Sequence, residues 1–203
     1  MIHRGAILLV ALGLVVSALT ACGSDDPVLE PPIDDTAAPG GGACSAAGLP
    51  SRPEDQPDLP QAVADTRRLI VGAAAGCGYA RLAHVAARGD DPFSFTFGAE
   101  GDAEAAAAFW KSEEDAGREP LRFLVELLDR PFATRDVPEG AQYVWPSAFA
   151  HETWADVPAG ERDALRPLYD DTDFAFFESF GGYAGYRIGI AEDGEWLFFV
   201  AGD

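Results

Sequence analysis

Histidines, cysteines and clustered carboxylates are the places where this sequence could do chemistry. Its three histidines are His3, His84 and His151. A lone imidazole such as His151 suits general-base work, because its unperturbed pKa lies close to neutrality. His151 opens "HETWA", and Ala155 stands where the second histidine of HExxH would be, which excludes that zinc-protease site. Ser147 lacks the glycines of a nucleophile elbow, and no SxxK occurs. "GAAAGCG" over 72–78 lacks the Lys–Ser/Thr end of a phosphate loop and reads as close helix packing. His84, in "RLAHVAAR", reads as a helix residue with a satisfied ring nitrogen.

"YDDTDFAFFE" is the main acidic cluster. Asp170, Asp171 and Asp173 precede an apolar run, where carboxylates cap free amides and complement the positive helix end. The same oxygens are candidate calcium ligands, although EF-hand spacing and its glycine are missing. The sequence calls for no cofactor. Aromatic residues gather in "QYVWPSAFAHETW" and "FGGYAGYR". Such clusters form cores, and beside Gly and Pro they also line grooves for sugars or peptides. Tyr143, Trp145, Trp154, Tyr183 and Tyr186 are therefore candidate ligand-binding residues, with Arg187 as an orienting charge.

Around these residues lies a chain of 203 with formal net charge −20. An acidic surface repels nucleic-acid phosphates and anionic lipid head groups, and no basic stripe with interleaved aromatics is read, so nucleic acid is excluded as a partner. At 48% apolar and 11% aromatic, most of the chain can fold. Periodicity predicts a long helix opened by Asp58 and Pro60, in which Arg67 and Arg68 lie away from the apolar face. A short helix ending at Gly89 and a strand alternating Phe93, Phe95 and Phe97 follow. Helices from Asp102 to Gly117 and from Pro120 to Pro131, a short strand "QYVWP" and helical "PAGERDALRP" and "DTDFAFFESF" come next. A hairpin closes the chain around Asp193 and Gly194, and its last strand, apolar on both faces, belongs inside a sheet. The expected fold is α+β: a small antiparallel sheet with a C-terminal hairpin, wrapped by about six helices.

The first residues form a different unit. Arg4 and the amino terminus precede the apolar "AILLVALGLVV" and the small residues of "SALTAC", the layout of an export signal. Leu19, Thr20, Ala21 and Cys22 resemble the lipobox of bacterial lipoproteins. The resemblance implies that the Cys22 thiol receives a diacylglycerol and that the signal is cut before it. Of three cysteines, lipidation of Cys22 leaves Cys44 and Cys77 as an even pair in an oxidising compartment, where a disulfide is the default. Residues 1–21 are thus expected to be the signal, 22–58 a lipidated acidic tether rich in Pro, Gly and Asp, and 59–203 one domain. Two or three acyl chains hold a protein durably on the outer face of a membrane.

The order of helix, short helix, Phe-rich strand and final "DGEWLFFVAG" also resembles the cystatin-like cone folds, which implies an apolar pocket between sheet and helix. "YVWPSAFA" and "GGYAGYRIGIAEDGEWLFFVAGD" are similar to uncharacterised exported lipoproteins of high-GC bacteria, a group that brings no catalytic residues with it. The function expected is that of a membrane-anchored, non-catalytic domain binding an envelope protein or a small ligand. The alternative is an envelope hydrolase combining His151 with Asp170, Asp171 or Asp173.

Overall fold

A computed structural model describes residues 44–89, 92–96 and 99–202. The signal, Cys22 and the tether up to residue 43 lie outside the described residues. Six α-helices and six strands make up the rest: α1 (Gln61–Ala75), α2 (Tyr79–Ala86), β1 (Phe93–Thr96), β2 (Ala99–Gly101), α3 (Ala103–Asp115), α4 (Pro120–Leu128), β3 (Ala133–Val137), β4 (Gly140–Trp145), α5 (Ala159–Leu165), α6 (Asp171–Phe180), β5 (Arg187–Ala191) and β6 (Trp196–Val200). The architecture is α+β, with one small sheet and a C-terminal hairpin β5–β6.

The strands lie in the order β2-β1-β6-β5-β4-β3. Every neighbouring pair is antiparallel except β1 and β6, which run parallel with Ser94 opposite Phe198. This parallel pair corrects the all-antiparallel expectation. It arises because "WLFFV" offers side chains to both faces and needs a neighbour on each side. β5 takes one side, and β1, from the other end of the domain, takes the other.

One face of the sheet is the core face. Trp145, Ile188 and Phe199 lie side by side across β4, β5 and β6 and are at most 1% exposed. Helices α1, α3 and α4 supply Val63, Ile70, Trp110, Leu121, Leu124 and Leu128 to the same buried cluster. Trp110 stacks on Trp196, and the Phe93 edge meets both indoles. Helix α4 follows directly from its composition: Pro120 sits at the first turn and Leu121, Leu124, Val125 and Leu128 form the apolar face. Its free amides are met from elsewhere. Glu114 Oε1 accepts from the Leu121 amide (2.9 Å), and Ser45 Oγ accepts from the Arg122 amide (3.0 Å).

The same contacts move the domain boundary. Ser45 donates its amide and hydroxyl to Glu114 (2.8 and 2.5 Å), Ala46 is fully buried, and Gln56 Nε2 donates to the Arg130 carbonyl (2.9 Å). Residues 44–58 are thus packed on the domain and are not part of a free tether. At α1 the expected Asp58 cap is absent; Pro60 occupies the N-cap position with no side-chain bond. Arg67, expected on the outer face, is 3% exposed. Its burial lowers its pKa despite the nearby Asp129.

Candidate functional site

The turn after β4 carries His151, the histidine of the hydrolase reading, together with Ser147. Ser147 Oγ donates to Glu161 Oε2 over 2.5 Å, and His151 Nε2 lies 3.2 Å from the same oxygen. The partner of His151 is therefore Glu161 of α5, not an aspartate of 170–173. In nucleophilic catalysis the imidazole stands between hydroxyl and carboxylate, so that it takes the hydroxyl proton. Here the carboxylate stands between the other two, and Ser147 is only 6% exposed. The arrangement ties the turn to α5 and offers no activated nucleophile.

The aspartates are engaged as caps. Asp170 accepts from the amides of Thr172 (2.8 Å) and Asp173 (3.0 Å), and Asp173 accepts in return from the Asp170 amide (3.0 Å). This is a reciprocal capping box at the start of α6. Asp171 pairs with Arg166. Among the described residues no group of three His, Cys, Asp or Glu side chains is placed to hold a metal ion.

The aromatic set divides. Trp145, Trp154 and Tyr183 are buried; Trp145 and Tyr183 belong to the core, while Trp154, packed in the core, also lines surface hollows beside Arg162 and Glu178. The Trp145 indole donates to Gln56 Oε1 (3.2 Å), and Trp154 packs edge-on to Phe174 and Phe177. Tyr183 belongs to a chain of hydroxyls. The Tyr186 amide donates to Tyr169 Oη (2.9 Å), which is 2.9 Å from Tyr183 Oη, and Tyr183 donates to the Tyr186 carbonyl (2.6 Å). Burial pushes the phenols of Tyr169 and Tyr183 well above the usual range and that of Tyr186 up to about 12. Gly185 sits beneath this chain, where a Cβ would stand 2.6 Å from Tyr183 Oη. The glycine of "FGGYAG" thus makes room for tyrosines of the protein itself and not for a ligand.

Tyr143, Tyr186 and Arg187 remain half-buried on separate neighbours. Tyr143 meets Phe132, and Tyr186 stacks between Phe123 and Phe199. The Arg187 guanidinium lies over Phe149 (5.1 Å) and donates to the Gly202 carbonyl. They make no common face.

A different surface has the shape and chemistry of a site. Arg81 and His84 stand one turn apart on α2, Arg88 follows in the turn just past the helix end, and all three are exposed. Helix α1 contributes Arg68 and Leu69 beside them, and Leu69 is 41% exposed. Ala73 and Val85 line the apolar part of the groove between the helices, which has a volume of about 450 Å³. Three arginines line it and, among the described residues, no carboxylate does. Asp65 pairs with Arg68 from the side. In a chain of net charge −20 this is a local reversal of sign.

The end of the groove is fixed by the α1–α2 turn. Cys77 follows the helix in the left-handed region (φ 55°), and the amides of Cys77 and Gly78 return to the carbonyls of Ala74 and Ala73 (2.9 and 2.8 Å). That is a left-handed helix stop of the kind usually made by glycine. Arg81 folds back over it: Nε would be 2.7 Å from a Cβ on Gly78. Cys44 stands at disulfide distance from Cys77, with Cα atoms 6.1 Å apart. The sequence already held the signal for this site in the spacing of Arg81, His84 and Arg88, where His84 reads as a mere packing residue only if its neighbours one turn away are ignored. Comparison with protein-family models, with curated proteins and with solved structures finds no match to this chain.

Proposed function

We propose that this protein is an extracytoplasmic lipoprotein, held on the outer face of a membrane through Cys22, whose domain binds an anionic ligand or partner and performs no reaction. The observation that carries the reading is the α1–α2 groove, with Arg68, Arg81 and Arg88 around Leu69 and, among the described residues, no lining carboxylate. Guanidinium forks suit phosphate and carboxylate, and the neighbouring leucine and valine suit an apolar body attached to that charge. Export supports the reading from the sequence side: "LTAC" ends an apolar signal, and the pair Cys44–Cys77 suits an oxidising compartment.

An envelope hydrolase is the second reading, favoured by the half-buried His151 beside Glu161, a pair that could act as general base on a water molecule. Native mass spectrometry of the mature protein, extracted in mild detergent, separates the two. An anionic molecule retained by the wild type and by His151→Ala, but lost from Arg68→Glu/Arg88→Glu, is the expected result. Retention by the arginine variant would sink the groove as the site, and turnover of a bound ester that stops with His151→Ala would establish the hydrolase.

A further inference from the structure

The groove lies at the end of the domain from which the chain runs to its anchor. Cys77, in the turn that closes the groove, stands at disulfide distance from Cys44, and 21 residues join Cys44 to Cys22. A domain joined to an anchor at Cys22 by so few residues would meet the head-group layer at high effective concentration. We propose that the α1–α2 groove seats the phosphate head group of an anionic phospholipid in the membrane that holds the anchor, so that α2 faces the bilayer. The inference rests on the lipid-anchored reading above and adds the identity of the groove's occupant.

Three features favour a bilayer lipid over a free anion. Arg68, Arg81, His84 and Arg88 are exposed along an open groove, so a small free ion there would keep much of its water. A head group in a bilayer arrives with neighbours of the same charge, and each arginine near such a surface adds to the attraction. Leu69, exposed at 41% among the arginines, is the apolar contact that an interface rewards and that water does not. Asp65, paired with Arg68, and Glu195, packed against Gly89 beside Arg88, offset part of the attraction, whereas acidic charges beyond about 8 Å are attenuated at physiological ionic strength.

The test uses the mature, lipidated chain, its acyl mass verified first, in vesicles of phosphatidylcholine with or without phosphatidylglycerol. Arginine labelling by phenylglyoxal is read peptide by peptide. Labelling of Arg68 and Arg88 is expected to slow about tenfold with phosphatidylglycerol, while Arg166 is unchanged. Leu69→Asp, at an exposed position that folding tolerates, should return both arginines to the phosphatidylcholine rate, as should molar salt. Equal labelling in the two vesicles overturns the proposal. So does equal protection by inorganic phosphate over phosphatidylcholine, which would make the occupant a free anion and leave a binding domain in place. Absence of the acyl mass is a separate failure, of the anchor itself.

Discussion

Arg67 donates from Nε to the Leu128 carbonyl over 2.8 Å, joining α1 to the C-terminal end of α4 inside the protein. The same guanidinium donates from Nη1 to the Glu54 carbonyl (2.6 Å) and meets Asp129 (3.2 Å). One buried cation thus holds three chain segments, each through an acceptor that otherwise lacks this donor. Arg67→Met keeps the aliphatic stem and removes every donor. The expected loss is about 3 kcal/mol of unfolding free energy in urea, with Arg67→Lys intermediate because it lacks the fork. A loss under about 1 kcal/mol would show that water replaces the guanidinium without difficulty.

Gly185 and Gly189 are expected to tolerate no side chain, for two different reasons. At Gly185 a methyl group meets the hydroxyls of Tyr169 and Tyr183. At Gly189 it meets the Phe198 ring lying across the strand, with Cδ1 2.8 Å away. Each alanine variant should lose about 1–3 kcal/mol. Gly185→Ala should also disturb the tyrosine bands of the near-ultraviolet circular dichroism, which Gly189→Ala should leave in place.

The tyrosines set the alkaline limit of stability. Tyr79 and Tyr186 are raised to about 12, and Tyr169 and Tyr183 are raised as well, in each case chiefly by burial. A raised folded-state pKa means that the native protein keeps protons the unfolded chain releases. The contribution is therefore fully present below about pH 10 and is lost as pH rises from there through the folded values. Unfolding midpoints in urea should be flat from pH 8 to about 9.5 and fall beyond about pH 10. Absorbance at 295 nm should show these phenols ionising late and together with unfolding.

Ser45 and Cys44 fasten the same piece of chain by two independent means. Cys44 faces Cys77 across 33 residues of sequence, and Ser45 is held by Glu114. Reduction should cost about 3–4 kcal/mol by the chain-entropy estimate for such a loop. Glu114→Ala should cost about 2 kcal/mol, through the freed amides of Ser45 and Leu121. In reduced protein the two effects should combine to less than their sum, because either one releases the segment that the other holds. Thermal unfolding of the four species measures this directly.

Much of the fold is written in local patterns. Helix α4 is legible from Pro120 and the spacing of Leu121, Leu124, Val125 and Leu128, and α3 from Asp102, whose side chain accepts from the Ala105 amide (2.7 Å). The interior place of β6 follows from "WLFFV". What stayed hidden depends on distant partners. Strand β3, "ATRDV", alternates half-buried and exposed residues at a sheet edge, so it carries no run of apolar residues to announce it. The β1–β6 pairing joins residues about a hundred positions apart, and nothing in "FSFT" names its partner. Arg67 looks like any surface arginine until Glu54, Leu128 and Asp129 supply its acceptors. Trp145 and Tyr183 show why aromatic clusters mislead: core and groove use the same residue types, and burial alone separates them. The recurrence of Arg81, His84 and Arg88 along and just past α2 was readable from its spacing, but its meaning needed α1 alongside, with Arg68 and Leu69 completing the groove.

The central claim is an anchored binding domain, and the intact mass of the native protein bears on it most directly. The protein would be taken from membranes in mild detergent and weighed without reductant. The mass expected is that of a chain that begins at Cys22, carries a diacylglycerol and is two hydrogens lighter than its free-thiol form. A chain lacking only its signal, with Cys22 unmodified and the protein found free of the membrane, would contradict it.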